Sequence, residues 1–263
     1  MSKIRTIIGK EWSEVFKTRM VLLSVVLLPL ILAVFPLGLL VAFNRFGGSM
    51  GDLSDPDVTA AFATQCQGLS GSDCTVLYTL NLFVLMFMIL PVMIPITIAA
   101  YSIVGEKANR SLEPLLATPI TTAELLTGKI LAAVLPAILA TWAAFLLFFI
   151  GAYFLAPAAV FDRFLDPLWL IAIFLVAPLL TMTSACIALI ISSRASDPRV
   201  AEQLSALVLL PVILVVVGQS VGLILINRQL MLIILVIVAL LDAVLLYLAV
   251  RLFQRETILT RWR

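Results

Sequence analysis

The sequence predicts an all-α polytopic membrane protein, and three observations carry that reading. Of its 263 residues 63% are hydrophobic and its mean hydropathy is +1.18, more apolar surface than a soluble domain could cover. Six apolar runs fall at residues 20–43, 79–103, 128–154, 168–192, 204–226 and 230–250. Each is long enough to cross a hydrocarbon layer of ~30 Å at ~1.5 Å per residue. Charge largely avoids them, and Asp242 is the one acid within. The chain then divides into an N-terminal amphipathic interfacial helix (1–19), a six-span domain (20–250) and a basic tail (251–263).

An even number of spans puts both termini on one side of the membrane. That side collects five Lys and Arg in the N-terminal segment, three in the second loop counted through Lys129, two in the fourth and four in the tail. The opposite side has only Arg45, Arg163 and Arg228. By the positive-inside rule both termini are cytoplasmic, in a multi-pass protein of the plasma (inner) membrane.

In the first segment Ile4, Ile7, Ile8, Trp12, Val15 and Phe16 share about half of a helical wheel, with Lys10, Ser13 and Lys17 opposite. This predicts a helix along the membrane surface with Trp12 at headgroup level. Glu11 and Glu14 in a long polar stretch argue against a signal peptide. Glu11 falls on the apolar face, and a salt link to Arg5 or Lys10 is expected for it.

The loop at 44–78 is the longest hydrophilic stretch and is expected outside. It carries Cys66 and Cys74, for which a disulfide closing a small loop is favoured over two unpaired thiols. Cys186, inside the fourth run, reads as a small packing residue. The second run contains Pro91 and Pro95, which bend a membrane helix and free carbonyls that neighbours must satisfy.

Residues 105–129, GEKANRSLEPLLATPITTAELLTGK, form a polar interruption with internal order. Ser111 is placed to cap a short helical turn, Leu112, Leu115 and Leu116 share one of its faces, and Thr118-Pro119 ends it. Thr121 and Glu124 have the spacing of a capping box that starts the next helix. The string Glu106-Lys107-x-x-Arg110-Ser111-Leu112-Glu113-x-Leu115-Leu116-x-Thr118-Pro119, with Gly128-Lys129 at the foot of the third span, resembles the intracellular coupling segment of type-2 ABC exporter permeases. The resemblance implies a membrane subunit that pairs with a second permease chain, identical or paralogous, and binds two separate ATPase subunits. Segment 104–127 would be the cytoplasmic coupling helix, and Glu106, Lys107, Arg110, Leu112, Glu113, Leu115, Leu116, Thr118 and Pro119 would meet the ATPase. ATP and Mg would belong to that partner, with no cofactor in this chain.

Further along, Asp197 followed by Pro198 predicts a helix start, and the run from Asp197 to Pro211 is similar to the same family's approach to its fifth span. Gly218-x-x-x-Gly222 offers a close-approach surface for helix contact, and with Pro211 it could equally break the helix. The resemblance implies a re-entrant hairpin there. Asp242, near mid-depth of the sixth run, should face protein or a watery cavity, as a pathway group or in packing. Thr181, Thr183 and Ser184 are its candidate partners. The tail, RLFQRETILTRWR, reads as an anchor on an anionic leaflet.

The chain has no histidine, which removes His-based metal sites and Ser-His dyads. Gly128-Lys129 is followed by Ile130, so no nucleotide-binding loop is present and no enzyme activity is expected in this chain. An independent six-helix secondary transporter or channel is the alternative function. One ionisable group at membrane depth argues against it.

Overall fold

The computed structural model describes residues 2–17, 19–46, 66, 69, 71–108, 120–224 and 226–252, and among them every regular element is helical. Arg110, Leu112, Glu113, Leu115, Leu116, Thr118 and Pro119 lie outside the described residues, as does the side chain of Lys107. An N-terminal helix, Ser2–Val15, precedes six helices long and apolar enough to span a bilayer. These run Val21–Phe43, Asp73–Glu106, Ala123–Leu155, Pro167–Arg194, Pro198–Ser220 and Arg228–Arg251, spans one to six below.

Span two is the axis of the bundle. Its most apolar stretch is 72% buried, against 17% for spans five and six. It lies along span four for much of its length and touches spans one and three. Span one and the N-terminal helix both pack on span three, and span six packs on span four. A short helix, Ala158–Phe164, closes the end opposite the N-terminal helix. There Phe148, Phe149, Phe161 and Phe164 form an aromatic cluster, with Phe149 and Phe161 at 5.3 Å and Phe148 and Phe164 edge-on at 6.0 Å.

Prolines decide where the spans deform. Pro91 offers no N–H to the carbonyl one turn before it and disfavours helical geometry at Leu90, so span two breaks into turns at Met88 and Ile89. Three carbonyls left over by prolines receive side-chain donors. Pro95 frees the Pro91 carbonyl, which lies 3.1 Å from the Ser184 hydroxyl, a donor shared with the Leu180 and Thr181 carbonyls of its own helix. Pro136 frees the Ala132 carbonyl, which accepts from the Trp12 indole N–H at 2.9 Å. Span four opens into a π-turn at Ala172–Val176, where the Ala177 N–H reaches Ala172. Pro178 cannot serve the Ile173 carbonyl next in line, and the Trp142 indole N–H does so at 3.1 Å.

The helix ends follow side-chain chemistry. Thr121 and Glu124 exchange both bonds of the capping box, at 3.2 and 2.9 Å. Asp197 accepts from the Arg199 N–H at 2.7 Å with Pro198 in the first turn, so span five begins at Pro198. Its end also lies earlier than the apolar run suggests. Gly222 has φ 77°, the Leu223 N–H returns to the Gly218 carbonyl and the Gly222 N–H to Gln219, which is a Schellman end that stops the helix at Ser220. Gly218 and Gly222 thus both serve this helix end, and the Gly218 Cα faces the Ile224 side chain where a Cβ would come within 2.6 Å.

Candidate functional site

The most charged buried place in the described residues is where the N-terminal helix meets spans two and three. Its construction starts at Gly128, two turns into the helix Thr122–Leu155. A Cβ there would stand 2.8 Å from the Ile7 side chain, so the missing side chain lets the N-terminal helix lie close against span three. The next residue, Lys129, is only 3% exposed. Its ammonium reaches Glu11 Oε1 at 2.7 Å, Glu106 Oε2 at 3.0 Å and Ser102 Oγ at 2.8 Å. Ser102 donates its own hydroxyl to Glu11 Oε2 at 2.9 Å. Lys10 closes the set by donating to Glu106 Oε1 at 2.9 Å, with Glu14 3.8 Å away on its own helix.

Glu11 and Glu106, 3% and 4% exposed, carry two negative charges and Lys10 and Lys129 two positive ones. The four sum to zero. That balance is a physical requirement, because an ion removed from water costs several kcal/mol and is tolerated only when partners and hydrogen bonds surround it. Partial burial works against the Lys10 ammonium, but the hydrogen bond and charge of Glu106, with Glu14 and Glu11 behind it, outweigh this and hold its pKa above the ordinary lysine value. The cluster ties three separate elements, and two of them, spans two and three, are the helices that run into and out of residues 109–119.

Several sequence expectations change here. Glu11 pairs with neither Arg5 nor Lys10 but with Lys129, and Lys129 is no loop residue: it sits buried inside the third span. Trp12 binds a span-three carbonyl. Of the expected ATPase-contact residues, Glu106 is the one whose described side chain joins the cluster. Lys10, Glu11, Ser102 and Lys129 do not form a site by any local sequence pattern. Their signal was a pair of misplaced charges, an acid on the apolar face of one helix and a lysine in an apolar run, each lacking a local partner.

The other expected residues lie elsewhere. Asp242 is 5% exposed, and its Oδ1 accepts from the Thr183 hydroxyl at 2.6 Å. Among the described residues its Oδ2 has no hydrogen-bond partner. Thr181 bonds within its own helix, to the Ala177 carbonyl, and Ser184 turns to span two. Cys66 and Cys74 are joined by a disulfide with Cα atoms 5.3 Å apart, and Cys186 is free and buried.

No curated protein matches the chain. The sequence profile described as ABC-2 family transporter protein matches residues 5–241, which takes in the N-terminal helix from Arg5, all four charged residues of the cluster and span six as far as Leu241. With most of its length covered by that match and six membrane helices in place, the chain belongs to the ABC-2 transporter family as a membrane permease component of an ABC transporter.

Proposed function

We propose that this chain is the permease subunit of an ATP-driven exporter, that two such chains enclose the pathway, and that separate ATPase subunits dock on the segment from Glu106 to Pro119. ATP and Mg act in those subunits. The observation that supports this reading is the buried cluster of Lys129 with Glu11, Glu106 and Ser102. Movement of residues 109–119 by a docked ATPase must act on both flanking helices, and the cluster binds those helices to each other and to the N-terminal helix. A push on the segment is thereby delivered to spans two and three together. Both termini and this segment face the cytoplasm of the inner membrane, as the distribution of Lys and Arg supports.

The test is co-purification with a co-expressed ABC ATPase partner. Leu115→Asp or Leu116→Asp should release the ATPase, because a charge would enter an apolar groove unpaired, while the permease still inserts and folds. Undiminished co-purification by both variants would sink the docking assignment.

A further inference from the structure

The last turn of span two, which carries Ser102 and Glu106, is held by a side chain from span four. The Ser192 hydroxyl donates to the Ala100 carbonyl at 2.7 Å and accepts from the Val104 N–H at 3.2 Å. Ala100 and Val104 are the acceptor and donor that an α-helix joins to each other, four residues apart. The hydroxyl of another helix therefore bridges the two partners of one rung in span two. No water can replace it there, since Ala100 is 1% exposed and Val104 and Ser192 are fully buried. Ser184 and Ser192 are eight residues apart, about two turns at ~3.6 residues each. They meet span two at sequence offsets of 93 and 92 residues, so the two helices run parallel in constant register.

We propose that Ser192 is a positioning residue: by bonding both Ala100 and Val104 it pins the end of span two to span four and so holds Ser102 and Glu106 at Lys129. The tolerance is small. The bonds from Lys129 to Ser102 Oγ and Glu106 are 2.8 and 3.0 Å long, and such bonds are gone beyond ~3.5 Å, so tilting the turn by little more than half an ångström at its end breaks them. Without the hydroxyl the end of span two loses both of these bonds to span four and draws away from Lys129, while its own helix remains satisfied. That this joint matters for coupling rests on the permease reading above; its control of Lys129 does not.

The experiment reads Lys129 directly. The purified full chain is exposed to a small amine-acylating reagent, and modification is followed lysine by lysine by mass spectrometry, with half-exposed Lys3 as internal control. In the parent Lys129 should resist. In Ser192→Ala it should react about tenfold faster, the effect of losing roughly one buried hydrogen bond, with Lys3 little changed. Ser184→Ala, which loses the other contact between the same helices, should leave Lys129 protected. Equal protection of Lys129 in parent and Ser192→Ala overturns the proposal, and so does equal exposure in the Ser184 and Ser192 variants. Should Ser192→Ala not accumulate, Ser192→Cys, of similar shape but a weak donor, is read by the same two criteria. No ATPase is present in this measurement, so failure of the joint and failure of the coupling reading are told apart.

Discussion

Glu11 and Lys129 stand 118 residues apart in sequence and 2.7 Å apart in space, each almost wholly buried. Neither is tolerable alone. Replacing Lys129 with Met would leave Glu11 and Glu106 facing each other without their shared cation, a loss of about 3–5 kcal/mol by the usual cost of breaking a buried pair. The expected result for Lys129→Met is a strongly lowered melting temperature and release of the N-terminal helix to protease. Glu11→Gln combined with Lys129→Met should be less damaging than the sum of the two single changes, because it removes both unlike charges. Strict additivity in this cycle would mean the two residues are not energetically coupled.

Trp12 extends the same attachment deeper into span three. Its indole N–H occupies the carbonyl that Pro136 leaves unserved. Trp12→Phe keeps an aromatic ring to face Phe16, 6.4 Å away in the parent, but it strands that carbonyl. A cost of about 1–3 kcal/mol is expected for an acceptor left without a donor. Thermal unfolding measures it, and the double change Trp12→Phe with Pro136→Ala should recover most of the loss, since an alanine in place of the proline restores a backbone N–H. Failure of the second change to rescue the first would separate Trp12 from the proline.

What could be read in the sequence was what depends on local chemistry. The six spans follow from unbroken apolar runs, the start of span three from Thr121 and Glu124, and the start of span five from Asp197-Pro198. The carbonyls freed in span two follow from Pro91 and Pro95. What escaped depends on contacts between distant residues. A lysine at the foot of an apolar run looks like a loop residue until a helix 118 residues earlier supplies its carboxylate. Gly128 reads as motif until Ile7 is seen to lie against it. Span five ends before its apolar run does, because its apolar residues continue past Gly222, whereas the backbone turns at that glycine.

The orientation proposed from the charge distribution has a direct test. In a background without Cys66, Cys74 and Cys186, the changes Ser2→Cys and Thr260→Cys should each resist a membrane-impermeant thiol reagent added to intact cells. Ser54→Cys should react. Labelling of either terminus from outside would reverse the topology, and with it the side on which residues 109–119 could meet an ATPase.

Asp242 and Thr183 join span six to span four through one short bond, and the second carboxyl oxygen is left without a partner among the described residues. A membrane interior supplies no water, so the pair gains what it does by hiding polar atoms from lipid, and span six has few other polar contacts to hold it. This favours packing over a place on the pathway and yields a cycle that discriminates. Thr183→Val removes the donor and leaves the carboxyl wholly unserved, which should cost about 1–3 kcal/mol. Thr183→Val with Asp242→Leu removes both polar partners and should lie closer to the parent than the single change, since an apolar pair in lipid needs nothing from its surroundings. Asp242→Asn keeps an acceptor for the Thr183 hydroxyl and is expected to assemble and transport normally in reconstituted vesicles with its ATPase. Loss of transport in a well-assembled Asp242→Asn complex would instead make the charge of Asp242 part of the route the substrate takes.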